Sequence, residues 1–403
     1  MGSATTGPTR HPATSGAGGE PQSPSLDSRI VGSIVTARNT TFHGFSEPRL
    51  PLNRVFVELT NRCNFACHFC PNPVMERAKG EMELALLDAI IEEIAAVGLA
   101  RLVLFHQQGE PTLHRHLNHA VAKASALGLA TSVTTNGSTL TDPLIDGLLQ
   151  AGLSQLIISL QTPDPASFSI RGARNLAYPA FEERVVRGVR RVLAADSRTE
   201  ITVSFLTKPL FGASAPTVGR GWPLVSSKAA LHQLLETWAA RFLDGAGNGA
   251  TPDALRRAVA RTGMLSRNEL RLGPRLVFEA RPVGEWATPT YPPGRRWYPA
   301  PFGSCHGLTD HLAILWNGQY AYCCVDHDGH TSQARFQDTS LLDFLGSEPV
   351  QAALRGFRRL RPVHPYCRQC LGGPGRLFAL VKGLGAALYF GVLRRTLRRT
   401  EIE

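Results

Sequence analysis

The chain lacks an apolar segment near its N-terminus, since residues 1–28 of its 403 are polar and rich in Gly, Ser, Thr and Pro. This absence excludes an ordinary secretory signal peptide in that stretch, so we expect a cytoplasmic protein. Cysteine is scarce as well, with only eight residues. Eight thiols are enough for four disulfides, but in a reducing compartment clustered thiols more often hold a metal.

Acidic residues are outnumbered, with 32 Asp and Glu against 43 Lys and Arg, which gives a formal net charge of +11. Such a surplus fits an acidic partner or an anionic membrane surface, and it equally fits simple solubility. Aromatic residues make up only 7% of the chain. The basic residues are not interleaved with them in the stripe typical of proteins that bind single-stranded nucleic acid. We therefore expect no nucleic-acid partner.

From residue 54 onward, apolar strand-like segments alternate with amphipathic helical ones. Strand patterns occupy 54–59, 101–106, 130–135, 155–160 and 200–207, and a sixth is expected at 275–280. Strands separated by helices indicate βαβ units and a parallel sheet. We predict an α/β fold with a partial (β/α)6 TIM-like barrel, in which functional residues lie at the C-terminal ends of the strands.

Composition divides the chain into four segments. Residues 1–45 have few large apolar residues and are predicted to be a disordered leader. The barrel is predicted over 50–300, with an insert at about 209–270, and a small Cys-rich α+β module over 301–373. Residues 374–403 form an apolar and then basic tail whose apolar part is shorter than the roughly 20 residues that span a bilayer. We interpret the tail either as a helix docked on the barrel or as a peripheral contact with a membrane surface.

Three cysteines, Cys63, Cys67 and Cys70, follow the first predicted strand with the spacing C-x3-C-x2-C. This loop lies at the top of a parallel barrel. Three thiolates there can hold three irons of a four-iron four-sulfur cluster and leave the fourth iron without a protein ligand. The alternatives are a zinc site that recruits His68 and cysteines that serve only as buried apolar residues.

This stretch, with Phe69 as the aromatic residue before the last cysteine, resembles the radical S-adenosylmethionine (SAM) superfamily. The resemblance implies that the amino and carboxylate groups of SAM chelate the open iron, with Phe69 beside the cofactor. It also implies cleavage of SAM to a 5′-deoxyadenosyl radical, which abstracts a hydrogen atom from a substrate. The cluster needs an external low-potential electron, so a flavodoxin or a ferredoxin is the expected donor. Arginines of the tail are candidates for docking it.

Further motifs follow the successive strands in the order that the superfamily shows. Gly109, Glu110 and Pro111 come after the second strand and resemble the Gly-Gly-Glu-Pro motif, which binds the SAM amino group. Gln108 replaces the first glycine of that motif.

Three polar residues complete the resemblance. Asn136 follows the third strand, where the family often contacts SAM, and Ser159 at the end of the fourth resembles a residue that contacts the ribose. Arg171 resembles a family arginine that pairs with the SAM carboxylate. A lone Gly-Glu-Pro or Asn-Gly is only a turn signal, so the weight lies in their order.

A second set of cysteines lies near the C-terminus. Cys305 is followed by Gly318 and Cys323, and then by Cys367 and Cys370 as C-x2-C. This spacing resembles the twitch module, a shortened SPASM domain, which implies that these four cysteines ligate one auxiliary four-iron four-sulfur cluster. A rubredoxin-like or zinc site is the alternative. The expected cofactors are therefore SAM and two such clusters.

Cys324 and Asp326 are candidate catalytic residues. Cys324 is adjacent to Cys323, so it is a spare thiol that could return a hydrogen atom to a carbon radical, as in an epimerase, or simply pack as an apolar residue. Asp326 could take the hydroxyl proton in a dehydrogenation, or it could stabilise a turn in the D-x-D-G stretch.

The resemblance is greatest to dehydrogenases and epimerases of aminoglycoside or cyclitol biosynthesis. We therefore expect an oxidoreductase or epimerase acting on a carbinol carbon of a small polar substrate. The first alternative is a maturase of a ribosomally made peptide, which residues 1–45 disfavour because they are too polar and too rich in Gly and Pro to fold as a leader-binding domain. The second alternative, from a different class, is a non-enzymatic metal protein that binds nucleic acid.

Overall fold

The computed structural model describes residues 48–208, 221–243, 252–264, 267–284 and 297–390. The predicted disordered leader at 1–45 lies outside these residues. Much of the insert predicted at about 209–270 and the end of the predicted tail beyond residue 390 also lie outside them.

The described residues form one nine-stranded sheet in the order β6-β7-β5-β4-β3-β2-β1-β8-β9. Its strands are β1 (Arg54–Val57), β2 (Leu102–Leu104), β3 (Ala130–Thr135), β4 (Gln155–Gln161), β5 (Glu200–Thr207), β6 (Asn268–Arg271), β7 (Leu276–Pro282), β8 (His311–Ile314) and β9 (Tyr320–Ala321). Strands β1 to β5 and β7 pair in parallel, which confirms the predicted α/β partial barrel with six parallel strands. The short edge strands β6 and β9 are antiparallel.

Helices cover the outer face of this sheet and build the C-terminal part. They are α1 (Leu84–Ala96), α2 (Leu117–Ala126), α3 (Asp142–Gln150), α4 (Pro165–Phe168), α5 (Tyr178–Ala194), α6 (Lys228–Leu243), α7 (Pro252–Ala260), α8 (Leu341–Gly346), α9 (Glu348–Arg358), α10 (Pro365–Cys370) and α11 (Arg376–Leu388). Local sequence fixes several starts. Thr141 and Ser340 cap α3 and α8 through their hydroxyls, because a side-chain oxygen satisfies a backbone N–H that lacks an intrahelical partner. No described helix is long and apolar enough to cross a bilayer.

The two faces of the sheet differ in chemistry. Val55 and Val103 lie in the large core that the helices cover, whereas Phe56 and Leu104 belong to a separate small cluster. Alternate residues of a strand point to opposite faces, so this second cluster marks the inner face of the open barrel. Pairing places the polar pair Ser204 and Glu279 side by side on neighbouring strands β5 and β7.

The C-terminal part continues the barrel sheet. Strand β8 pairs in parallel with β1 over its whole length, from Arg54 opposite His311 to Val57 opposite Ile314. Main-chain hydrogen bonds therefore run across the boundary predicted near residue 301. As a result, the second set of cysteines is held beside the strand that carries the first.

Candidate functional site

The first three cysteines are gathered in the loop after β1. The pKa of Cys63 is raised to about 11 and that of Cys70 to about 12, chiefly by burial and in part by the charge of Cys67. Burial also raises the pKa of Cys67 itself. All eight cysteines lie in described residues, and none forms a disulfide. Buried thiols whose charges repel one another are a donor set suited to a soft metal centre, because metal binding removes the protons.

The cysteine loop rests on the backbone around Arg171. The amide of Ala66 donates to the Arg171 oxygen at 3.1 Å, and the amide of His68 donates to Ile170 at 2.9 Å. Gly172 lies in the left-handed region with φ +55°, and a Cβ there would lie 2.6 Å from the Ala66 oxygen. Only glycine allows this close approach, so the S-I-R-G turn positions the loop.

Glu110 is buried at the end of the turn that follows β2. One carboxylate oxygen accepts from the Asn136 amide at 2.6 Å, and the other accepts from the Thr112 amide at 3.2 Å and its hydroxyl at 2.6 Å. Gly109 before it has φ +80°, and a Cβ there would lie 2.4 Å from the Thr60 oxygen. Burial raises the pKa of Glu110, and these hydrogen bonds oppose that rise.

Arg171 contacts three other predicted residues, Ser159, Asn136 and Phe69. Its Nη1 donates to the Ser159 oxygen at 3.0 Å, its Nη2 donates to the Asn136 oxygen at 3.3 Å, and its guanidinium lies 5.8 Å from the Phe69 ring centroid. The residue is only 1% exposed, and its Nε has no hydrogen-bond partner among the described residues. A buried cationic donor without an acceptor fits a carboxylate ligand.

The fit extends to Asn136 and the cysteines. The side-chain nitrogen of Asn136 lies 3.8 Å from the Cys63 sulfur and donates a hydrogen bond to the side-chain oxygen of Asn64 at 2.9 Å. Next to Cys70, the Gln108 side-chain oxygen lies 3.7 Å from the sulfur. By contrast, His68 is exposed and its ring lies beside Trp222, 6.5 Å away between centroids. The geometry therefore favours three thiol ligands and an amino acid-like ligand over a zinc site that uses His68.

Cys305, Cys323, Cys367 and Cys370 come together in the C-terminal part. The pKa of Cys370 is raised to about 12, chiefly by burial and in part by the charge of Cys305. Burial also raises the pKa of Cys323 and of Cys367; the charges of the other three cysteines add to the rise at Cys323, and those of Cys305 and Cys370 add to the rise at Cys367. Four half-buried thiols with no imidazole among them fit an auxiliary iron–sulfur cluster, and by ligand type alone they would also fit zinc.

Helix α11 supports this second cysteine group. The Lys382 ammonium donates to the Cys370 oxygen at 2.9 Å and to the Gly372 oxygen at 3.1 Å. The same ammonium lowers the pKa of Cys370, against the larger effect of burial. This cation lies at the C-terminus of α10, where it stabilises the turn that carries the C-x2-C pair.

Cys324 lies on the inner face of the barrel, against Phe56 and Leu104. Its sulfur is 4.0 Å from His311 Nε2, and His311 Nδ1 is 3.1 Å from the Asp310 carboxylate. Burial alone would lower the pKa of His311, but hydrogen bonds to Asp310 and Cys324 raise it to about 9. Sequence reasoning missed this triad, although the dipeptide Asp310–His311 at the start of a strand was visible. The hydrogen-donor role of Cys324 stays a prediction.

Asp326 is fully buried within its own turn. One carboxylate oxygen accepts from the His330 amide at 2.9 Å, and the other accepts from the Thr331 amide at 2.7 Å and its hydroxyl at 2.6 Å. Three local donors are the pattern of a turn-stabilising carboxylate. The role of Asp326 as a catalytic base stays a prediction, and the structural alternative accounts for every contact described.

A buried ion pair links the two cysteine groups and was not predicted. Glu58 directly follows β1, and both its oxygens receive the guanidinium of Arg77. Arg77 also donates to the His327 oxygen, and the backbone amide of Trp316 donates to Glu58 at 3.2 Å. The pair therefore joins the barrel to the turn that follows Cys324.

The pH response of the Asp310–His311 pair can be tested with His311→Gln. Because the pKa of His311 is raised from 6.5 to about 9, its contribution to stability is fully present below about pH 6.5 and is lost as pH rises through 9. We expect the stability difference between wild type and variant to shrink over that range. Chemical denaturation of both proteins between pH 6 and 10 measures it. A difference that stays constant with pH would contradict the assignment.

Comparison with known proteins assigns a family to each of the two cysteine-bearing segments. Residues 57–208 match the family described as "Radical SAM superfamily", and residues 305–371 match the "Iron-sulfur cluster-binding domain" family named SPASM. Curated relatives called "PqqA peptide cyclase" are 39% identical over 123 residues in Xanthomonas campestris pv. campestris and 35% over 119 residues in Rhizobium meliloti. The first match covers 30% of this chain and 32% of the relative, so the chain spans about a third of the curated relatives it matches.

Two solved structures match this chain at low sequence identity. Streptococcus suis SuiB bound to precursor peptide SuiA has a TM-score of 0.47 at 16% identity, covering 77% of this chain and 68% of that one. BtrN in complex with AdoMet and 2-DOIA has a TM-score of 0.41 at 15% identity, covering 77% and 88%. Residues 57–208 of this chain therefore form a radical SAM domain, which implies SAM and a four-iron four-sulfur cluster, and residues 305–371 form a SPASM domain, which implies auxiliary iron–sulfur binding.

Proposed function

We propose that this radical SAM enzyme modifies a peptide. The observation that carries the substrate class is the 39% identity to proteins named PqqA peptide cyclase, over a stretch equal to 30% of this chain. This finding favours the peptide alternative over the small sugar, cyclitol or aminoglycoside-like substrate that the cysteine spacing led us to expect. The argument against a peptide depended on residues 1–45, which lie outside the described residues.

The two groups of cysteines would bind two separate iron–sulfur clusters. Cys63, Cys67 and Cys70 would hold the first cluster, and the four C-terminal cysteines would hold the auxiliary one. When bound to the first cluster, SAM supplies a 5′-deoxyadenosyl radical that removes a hydrogen atom from the substrate. Arg171 offers a buried Nε–H to the carboxylate of SAM, and the side-chain oxygens of Glu110 are acceptors for the amino group of SAM.

The residues around this site exclude water and fix orientation. The ring centroids of Phe65 and Phe69 lie 4.9 and 5.8 Å from Cζ of the Arg171 guanidinium. The Trp222 ring lies 6.3 Å from that of Phe69. Apolar rings around a buried cation strengthen its attraction for a carboxylate, because the local dielectric constant is low.

The open sheet gives a larger substrate a route to the inner face. In the sheet order, β6 and β9 are the two edges, and no hydrogen-bonded ladder joins them within the described strands. An extended peptide could reach the inner face through this opening. The thiol of Cys324 faces that side, where it would give a hydrogen atom to a substrate radical, and the thiyl radical left on Cys324 would take up one electron and one proton to become the thiol again. A flavodoxin or a ferredoxin is the proposed donor of the electron that the first cluster needs.

Anaerobic turnover tests the substrate class. The reconstituted protein, SAM and a strong reductant should form 5′-deoxyadenosine slowly, and a peptide encoded beside its own gene should accelerate this and change in mass. The parallel reaction contains an aminocyclitol instead. Acceleration by the aminocyclitol alone would restore the small-substrate hypothesis, and absence of 5′-deoxyadenosine in every reaction would refute the enzyme assignment.

Arg171→Met tests the carboxylate site directly. The variant removes the cation and its unpaired Nε–H, so we expect SAM to bind at least about tenfold more weakly, because charge-assisted bonds to carboxylates are among the strong ones. Equilibrium binding of SAM to the anaerobic, cluster-loaded protein measures this. Arg187→Met, on the exposed side of α5, is the matched control and should bind SAM as wild type does. Equal affinity for both variants would contradict the role.

A further inference from the structure

Large apolar side chains are exposed on one part of the molecule. Among the described residues, eight of the eleven exposed large hydrophobic side chains lie between residues 360 and 389. They are Leu360, Val363, Leu377, Leu380, Val381, Leu384, Leu388 and Tyr389. Isolated apolar residues on a surface are ordinary, but a contiguous patch marks an interaction site.

Helix α11 packs against the protein with its small residues. Ala379, Gly383 and Ala387 are its buried positions, and they recur every four residues along one face. A Cβ on Gly383 would lie 2.6 Å from the Phe302 oxygen, so the helix touches the backbone beneath it. The large residues consequently point outward.

Two further contacts fix the helix in this orientation. The Lys382 ammonium bonds the Cys370 oxygen at 2.9 Å, and the Phe390 ring packs on that of His306, 4.6 Å between centroids. The outward face is therefore held in place from its middle to its end. From Leu377 to Tyr389, the exposed residues are all uncharged.

Basic residues lie beside this face. The Leu360 oxygen accepts from the amide of Gly303 at 2.8 Å, and a Cβ on Gly303 would lie 3.6 Å from the Gly383 oxygen. The turn that carries exposed Arg359 and Arg361 therefore adjoins α11. In the sequence, Arg394, Arg395, Arg398 and Arg399 follow shortly after the helix.

We propose that the outward face of α11, together with the basic turn at Arg359 and Arg361, docks on the surface of an anionic lipid membrane. An apolar helix face flanked by arginines is the arrangement that binds in the interfacial plane of such a bilayer. Tyr389 at the end of the face is a residue type enriched at that interface.

The same charges disfavour the other occupants. Two copies that met through α11 would bring their arginine turns together, and like charges repel. A protein partner typically makes hydrogen bonds across its interface, and the exposed side chains of α11 from Leu377 to Leu388 supply none. The hydrocarbon of a membrane makes no hydrogen bonds, so it can cover these side chains.

Vesicle flotation tests the proposal with the full chain. We expect wild type to float with vesicles that contain roughly 30% phosphatidylglycerol, and at least tenfold less with pure phosphatidylcholine or at high salt. The double variant Val381→Asp/Leu384→Asp should lose at least tenfold of the floating fraction. Leu127→Asp is the matched control, since Leu127 is 45% exposed and lies outside the patch, and it should float as wild type does.

Other outcomes overturn the proposal. Equal flotation by the double variant, equal flotation with neutral vesicles, or no flotation at all would each refute it. A dimer in lipid-free light scattering that the double variant converts to monomer would show that a second copy covers the face instead. Circular dichroism checks that each variant is folded. Flotation does not require turnover, so failure of the peptide proposal would leave this result unaffected.

Discussion

Replacing Cys67 by alanine should abolish formation of 5′-deoxyadenosine and remove one of two clusters. The anaerobically purified protein should fall from roughly eight irons per chain to roughly four, because each complete site holds four. Iron analysis and the spectrum of the reduced cluster measure the loss, and chromatography of the reaction measures 5′-deoxyadenosine. No other variant in the barrel is expected to have a larger effect on activity.

The reason is the position of Cys67 among the thiols. It is only 8% exposed, and its charge raises the pKa of both Cys63 and Cys70. Removing it leaves two donors for three irons, and no neighbouring thiol replaces it in this loop. The backbone should remain in place, because the loop is held by Ala66 and His68 through main-chain bonds.

Two matched variants make the result specific. Cys370→Ala should also lose roughly four irons, but it should retain SAM binding because its cysteine group lies in the C-terminal part. Cys324→Ala should keep all the iron, since Cys323 is the assigned ligand of that pair. Full iron content in Cys67→Ala, or loss of iron in Cys324→Ala, would require a different assignment of ligands.

Most of the barrel follows from local sequence. The segment 130–135 was predicted as a strand and forms β3 at the same residues, and the sixth strand expected at 275–280 appears as β7 at Leu276–Pro282. These segments combine β-branched or apolar residues with flanking turns, so the local signal and the tertiary structure agree. Cysteine spacing likewise predicted which thiols would gather.

Long-range pairings were not accessible in this way. Strand β8 pairs with β1 across more than 250 residues of sequence, and no local pattern encodes which edge a short strand joins. Trp222 reached the Phe69 ring from a Pro- and Gly-rich stretch without a motif. For α11, the sequence did not indicate which face would be buried: Ala379, Gly383 and Ala387 pack inward, with Gly383 against the Phe302 backbone, and the large apolar residues are exposed.

The Glu58–Arg77 pair shows most clearly what such contacts do, and Arg77→Met is expected to be strongly destabilising. Glu58 is fully buried and the Arg77 side chain is 9% exposed, so the variant leaves a buried carboxylate without its cation. Breaking a buried pair in this way costs about 3–5 kcal/mol. The turn at His327 also loses its bond to Arg77, so the barrel and the C-terminal cysteine group should separate more easily. Denaturant unfolding and hydrogen exchange of residues 325–331 measure the two effects.

A comparison of variants separates charge from packing. Arg187→Met removes a cation 3.3 Å from the exposed Asp142 and should cost less than about 1 kcal/mol, as surface pairs do. The double variant Glu58→Gln/Arg77→Met removes both charges and should be more stable than Arg77→Met alone, because no uncompensated carboxylate is left. If the double variant is instead no more stable than Arg77→Met, the pair acts through packing. If Arg77→Met resembles Arg187→Met, Glu58 is solvated when its partner is lost. Either result would contradict the role of the Glu58–Arg77 ion pair in holding the C-terminal cysteine group at the end of β1.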